Sequence, residues 1–284
     1  MKFGAFLFQH RGPSLAAAAR AAEDLGYESV WMGEHISFPA ELKSTYPYDP
    51  SGRPPVRMDA PIVDPITAFA FLAGLTTKIK FATGVFILPL RNPFALAKQI
   101  ATLDQLSNGR FLFGVGIGWL KEEFEWVGMP WEDRALRTNE YLKLMTALWT
   151  QKDPAYKGKT VQTEGFKFEP KTKQQPHPPF IFGGNTEAAM KRAARLGDGW
   201  YGVTHGLEHA TELLKQLREV EKRYERATPL EITVGIGAVT LDSVKRLTDL
   251  GVDRIMGSVL KAGEIPRDYI HGLHRFRDEV MSKL

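Results

Sequence analysis

Apolar and polar positions along the chain fall into a repeating two-part rhythm. A short, nearly continuous apolar run is followed by a longer segment whose apolar residues recur every three or four positions. The first pattern suits a parallel strand buried on both faces, and the second suits the helix that covers it. Lys2–Phe8 (KFGAFLF) predicts the first strand. Ser14–Gly26 predicts its helix, with Ser14 as N-cap and Gly26 as the stop. Ser29–His35 predicts the second strand and Pro65–Thr76 a helix with proline in its first turn. Ile79–Ile87 and Pro93–Gly109 form the third unit, and a fourth strand opens at Phe111. Asp133–Thr150 predicts a helix, Pro179–Gly184 a strand and Thr186–Gly197 its helix. Gly199–Val203 precedes a helix from Leu207 to Arg226, and Glu231–Ala238 precedes Leu241–Gly251. Asp253–Val259 precedes a last helix from Ile265 to Lys283.

Eight strand–helix units in 284 residues predict one α/β domain over residues 1–284. The expected fold is a closed (β/α)8 TIM barrel with insertions at the C-terminal face, and an open doubly wound sheet is the alternative. Two segments exceed ordinary loop length, 36–64 and 151–178. Loops of that length usually carry function, so both are expected near the site, the second holding a short hairpin.

Composition narrows the function classes. With 43% hydrophobic and 25% charged residues the chain reads as an ordinary globular protein. The absence of cysteine removes disulfides, thiolate catalysis and cysteine–zinc sites. A formal charge of +4, spread along the chain, is a poor case for nucleic acid. No apolar stretch reaches the length of a membrane span, and the N-terminal apolar run is too short for a signal peptide, so a cytoplasmic protein is expected. The seven histidines include no His-x-His pair and no H-E-x-x-H arrangement, so no metal is expected. No serine nucleophile elbow is present.

Three stretches could carry chemistry. In FLFGVGIGW (Phe111–Trp119) the glycines are spaced G-x-G-x-G, whereas a dinucleotide fingerprint is G-x-G-x-x-G after the first strand. Either Gly114 and Gly116 make room for bulky barrel neighbours, or small residues at the strand's end let a flat ring lie on the backbone. Glu34 and His35 end the second strand, at the catalytic face of a barrel. A histidine there suits proton transfer, and a hydrogen-bonded structural histidine is the other reading. In FGGNTEAAMKR (Phe182–Arg192) two glycines lead directly into a helix. Its unpaired N–H groups would hold a phosphate, unless the stretch is only a tight capped turn.

Ala82–Phe124 (ATGVFILPLRNPFALAKQIATLDQLSNGRFLFGVGIGWLKEEF), with SVWMGEHI and FIFGGNTEAAMKRAARLGDGWYG, resembles the bacterial luciferase-like family of flavin-dependent barrel enzymes. The likeness covers nearly the whole chain and is strongest to the branch that uses the deazaflavin coenzyme F420, with much of the pattern shared by FMN users. It implies that Gly116, Gly118 and Trp119 form wall and floor beside the cofactor ring. It implies that Glu34 and His35 contact the cofactor, with His35 near the reactive carbon. It places a bulge with a non-prolyl cis peptide at Thr83, Gly84 and Val85, the bond being Gly84–Val85. It assigns the cofactor phosphate to Phe182, Gly183, Gly184 and Asn185, and it implies a homodimer.

One position departs from the sugar-phosphate dehydrogenase branch of that family. An acid follows the glycine motif there, and this chain has Trp119. Glu122 and Glu123 come later and are not expected to replace it. Trp119, Trp126, Trp131, Phe38, Tyr46 and Tyr48 predict an apolar or aromatic pocket for a small organic substrate. Lys157, Lys159, Lys167, Lys171 and Lys173 make the second long segment basic. They are either a landing site for the acidic tail of F420 or simply solvated. The expected function is hydride transfer between F420 and that substrate, catalysed with Glu34 and His35. The alternatives are an FMN-dependent monooxygenase and a non-catalytic flavin-binding barrel.

Overall fold

In the computed structural model, residues 1–7, 10–261 and 264–284 are described. Eight parallel strands close into a ring. In chain order the elements begin with β1 (Lys2–Phe6), α1 (Gly12–Asp24), β2 (Ser29–Met32) and α2 (Pro65–Ala73). They continue with β3 (Lys80–Thr83), β4 (Phe86–Ile87), α3 (Pro93–Leu106), β5 (Phe111–Gly116), α4 (Lys121–Trp126) and α5 (Arg134–Thr150). A hairpin of β6 (Tyr156–Lys157) and β7 (Gln162–Thr163) precedes β8 (Phe180–Gly183) and α6 (Glu187–Leu196). The last are β9 (Gly199–Val203), α7 (Leu207–Lys222), β10 (Glu231–Ile236), α8 (Leu241–Asp249), β11 (Arg254–Gly257) and α9 (Tyr269–Glu279). Strand neighbours run β3-β2-β1-β11-β10-β9-β8-β5, and β5 pairs back to β3, which closes the barrel. The doubly wound alternative is excluded by that closure.

Trp31, Ala82, Leu112, Ile181, Tyr201 and Met256 fill the lumen, so the barrel is packed and not a pore. The larger apolar core lies between strands and helices. Gly114 is required by this packing, because a Cβ there would lie 1.6 Å from the Thr83 carbonyl oxygen. Of the two readings of the glycine run, the close approach of neighbouring strands therefore accounts for Gly114.

Local differences from the sequence expectations have physical causes. Helix α1 begins earlier than Ser14. Pro13 lies in its first turn, Arg11 is the N-cap, and the Ser14 hydroxyl both donates to the Arg11 carbonyl and accepts the Arg11 N–H. The expected third strand is cut at a cis Gly84–Val85 peptide, and β4 resumes beside β5. Phe8 of the expected first strand lies outside the described residues.

The two long segments lie apart. The first, 36–64, follows β2 at the C-terminal face. The second, 151–178, joins α5 to β8 and returns across the N-terminal face. There Gln174 donates to the carbonyl of Phe111, the first residue of β5, and to Asp104. Its hairpin lies against α5, with Glu140 accepting from the N–H groups of Lys159 and Thr160. The expectation that both segments approach the site is corrected: only the first does. No helix among the described residues is long and apolar enough to cross a membrane.

Candidate active site

A cavity of about 630 Å³ opens at the C-terminal face. Its floor is a shelf of small residues at strand ends: Gly33, Gly84, Gly116 and Gly183. Val85 projects between two of them, since a Cβ on Gly116 or Gly183 would come within 2.5 or 2.4 Å of its methyl groups. A flat ring is thereby offered a backbone-lined surface with one aliphatic contact. Gly118 turns the chain after β5 with φ +84°, a conformation glycine tolerates best. The first long segment roofs the cavity with Phe38, Tyr46, Tyr48, Pro54 and Val56. Tyr46 meets Trp119 edge-on with centroids 5.1 Å apart.

Of the residues singled out from the sequence, Glu34, His35, Gly84, Val85, Gly116, Gly118, Trp119, Gly183, Gly184 and Asn185 all line this cavity. Thr83 and Phe182 do not, and their assignment to the cofactor is corrected. Thr83 is fully buried and donates to the Gly114 carbonyl, while Phe182, 2% exposed, packs in the core. Trp126 is also misassigned: it sits 51% exposed on α4, outside the cavity. Trp131, Phe38, Tyr46 and Tyr48 do line it.

Glu34 is tied by structure. Its carboxylate accepts the Ile87 N–H at 2.6 Å and the Arg91 Nε at 2.8 Å. Burial pushes its pKa up, to about 7, against the pull of the Arg91 charge and the Ile87 N–H. His35 stands beside it. Its ring lies 4.5 Å from Phe38 and meets Trp119 edge-on at 5.7 Å.

Glu123, not expected to replace the missing acid beside the ring, does not line the cavity but reaches His35 from behind. Its side chain is 1% exposed, and one carboxylate oxygen lies 2.8 Å from His35 Nδ1. The other oxygen accepts the N–H groups of Ile36 at 2.6 Å and Ser37 at 3.3 Å. Neighbouring Glu122 accepts the N–H groups of Lys43 and Ser44. Both acids sit on α4, a six-residue helix with no sequence signature strong enough to place it. From that helix they pin two points of the roofing segment.

The far end of the cavity is cationic. Gly184, at φ +125°, leads past Asn185 to the N-terminus of α6. The Asn185 side chain is spent on the backbone of Val203, so backbone N–H groups are what this turn presents. Arg192 on α6 and Arg134 on α5 both line the cavity here. Arg134 lies over the Trp131 ring at 3.6 Å, and its Nε is buried without a hydrogen-bond partner. Burial lowers the Arg192 pKa, and the nearby Arg134 charge lowers it further. Neither arginine has an ion pair among the described residues. Sequence reasoning missed both, since they lie 58 positions apart and nothing local marks them. Among the described residues no group of three or more histidines and acids could hold a metal ion.

A closed parallel barrel with one ligand cavity at its strand ends, apolar in the middle and cationic at one end, defines a small-molecule or cofactor-binding barrel. Residues 1–256 match the luciferase-like monooxygenase family, to which the chain belongs. An uncharacterized protein of Mycobacterium tuberculosis is 33% identical over 278 residues, 94% of each chain. An FMNH2-dependent dimethylsulfone monooxygenase of Pseudomonas putida is 33% identical over 179 residues, 62% of this chain and 48% of that protein. The coenzyme F420-dependent tetrahydromethanopterin reductase of Methanopyrus kandleri has the same fold, with a TM-score of 0.77, 17% identity and 99% coverage of both chains. Relatives thus use F420 or FMN, and the family comprises oxidoreductases and monooxygenases.

Proposed function

We propose that this chain is an oxidoreductase that takes coenzyme F420 in the cavity and passes hydride between it and a small apolar or aromatic organic substrate. The observation that carries the reading is the polarity layout of the cavity. A glycine shelf with His35 at one end is followed by two arginines and a helix N-terminus at the other. The residues fit a ribityl-phosphate cofactor. Gly116 and Gly183 make room for the Val85 methyl groups on the shelf, and Arg134 and Arg192 line the far end without an ion pair among the described residues.

A flavin-type ring supplies the redox chemistry when bound, giving or accepting hydride. The chain's own residues do the rest. The α6 N-terminus, Arg192 and Arg134 hold the phosphate. Val85 and the shelf support the ring. The aromatic roof over Trp119 excludes water and shapes an apolar substrate space. His35 is the group placed to hold or move a proton. Glu34, fixed by Arg91 and Ile87, keeps the strand ends beside the ring in register.

FMN is the second reading, and a specific observation favours it. Two arginines converging beside one turn suit the dianion of a terminal phosphate, whereas a phosphodiester carries a single charge. The test is parallel titration of both cofactors at low and moderate salt, followed by spectra with candidate substrates. Binding of F420 with substrate-dependent change of its redox state supports the first reading. Tighter FMN binding with FMN-dependent turnover replaces it by the second. Binding of neither overturns the cofactor assignment.

A further inference from the structure

We infer that Glu123 is a positioning residue that fixes the tautomer of neutral His35, with the proton on Nδ1 and Nε2 left as a hydrogen-bond acceptor facing the cavity. The inference deepens the proposed function, because it gives His35 a direction: from its neutral form the ring takes a proton through Nε2.

Glu123 is buried, yet two backbone N–H donors and the His35 Nδ1 lie within hydrogen-bond reach of it. Ile36 and Ser37 present backbone N–H groups to one oxygen, and those groups cannot act as acceptors. A carboxylate accepts through both of its oxygens and donates through neither. The second oxygen, facing His35 Nδ1 at 2.8 Å, is then an acceptor and requires a proton on that nitrogen. A neutral imidazole carries one N–H, so Nε2 is left with a lone pair. Nε2 has no protein partner among the described residues, while His35 lines the cavity and Glu123 does not. The two hydrogen bonds to 36 and 37 also set the backbone from which the ring projects. Tautomer and ring position are therefore fixed by the same buried side chain, a division of labour seen where an acid orients a histidine base.

The Glu123→Gln variant is the sharp test. Its amide oxygen can keep the bonds to Ile36 and Ser37. Its NH2 then faces Nδ1 and can only donate, which forces the proton onto Nε2. The experiment is nitrogen-15 NMR of histidine-labelled protein at a pH where the ring is neutral, with His35 assigned by its loss in His35→Asn. Wild type is expected to show the Nδ1–H form, and Glu123→Gln the Nε2–H form. Glu123→Asp, which keeps the carboxylate, is expected to restore the wild-type form. With a substrate in hand, Glu123→Gln should lower kcat by about 10²-fold or more, with KM changed far less. An Nε2–H tautomer in the wild type overturns the inference even if neither Glu123 variant folds. An unchanged tautomer in folded Glu123→Gln overturns it as well. Cofactor titration of the wild type is independent of this result: failure to bind F420 or FMN removes the proposed function and leaves the tautomer measurement standing.

Discussion

The two ends of the barrel treat charge in opposite ways. At the N-terminal end Arg254, fully buried, meets Glu28 at 2.8 Å and Glu231 at 2.5 Å and donates to the Thr233 hydroxyl. Lys80 and Lys2 add a second cation to each acid, at 3.0 and 3.4 Å. Burial alone would raise the Glu28 pKa, but the Arg254 bonds and charge outweigh it and hold the value at about 2. At the C-terminal end Arg134 and Arg192 line the cavity without an ion pair among the described residues, and burial pushes Glu34 up to about 7. The floor is electrostatically closed by the chain itself. The mouth is left incomplete, and an anionic ligand would complete it. Barrels commonly divide stability and function between their faces in this way.

The largest expected effect breaks the closed end. Arg254→Met leaves two acids facing one another in the barrel floor, and removal of one member of a buried ion pair costs about 3–5 kcal/mol. Both acids keep some exposure, so the loss belongs near the lower figure. Denaturant titration at neutral pH measures it. A depressed carboxylate pKa contributes stability that is complete above the unfolded-state value near 4.5 and is lost as pH falls toward 2. The wild type should therefore show that acid-side loss, and Arg254→Met should show much less of it. Equal stability of the two proteins at pH 7 would mean that the floor network contributes nothing net.

A smaller effect, confined to binding, is expected at the open end. On the proposed cofactor reading, Arg192→Ala removes one donor to the phosphate, and a hydrogen bond to a charged group is worth about 1.5–3 kcal/mol, or roughly 10- to 100-fold in affinity. FMN and F420 should both weaken. Riboflavin and the phosphate-free deazaflavin core should not. Folding stability should hold or rise slightly, because a repulsion between Arg134 and Arg192 is relieved. Equal weakening of the phosphate-free compounds would place Arg192 elsewhere in recognition.

The same contrast shows how much the sequence disclosed. The barrel was legible because each strand is an apolar run and each helix a stripe, and both patterns are local. The shelf was legible because Gly84, Gly116 and Gly183 sit at strand ends and every strand end meets the same cavity. Glu123 was not legible. Its partner His35 lies 88 positions away, and α4 is too short to announce which way its acids point. Arg134 and Arg192 were hidden for the same reason, since a pair made only by closure of the ring leaves no spacing to read. Thr83 and Phe182 were over-read: both adjoin true cavity residues, but strand side chains alternate and theirs point away into packing. The basic segment was misplaced because a long insertion after a helix returns to the opposite face from one after a strand.

The smallest expected effect tests that last point. Lys157, Lys159 and Lys173 are exposed, and none lines the cavity. Lys173 packs beside Gly109, before β5 begins. The six residues of β5 separate that point from the mouth by about 20 Å, at ~3.3 Å per residue. A charge that far away acts through more than two Debye lengths at physiological salt, about 8 Å each. Lys157 and Lys159 are nearer. Their hairpin is anchored at Glu140, six positions along α5 from Arg134, about 9 Å at ~1.5 Å per residue. They face solvent, however, and solvent screens them strongly at that range. The combined variant Lys157→Ser, Lys159→Ser, Lys173→Ser should therefore bind F420 and FMN within about twofold of wild type at 0.15 M salt. Parallel titrations of the two proteins check this. A loss of tenfold or more for F420 alone, growing as salt is lowered, would show that the acidic tail reaches around α5 to this hairpin. It would also bring the second long segment into the site after all.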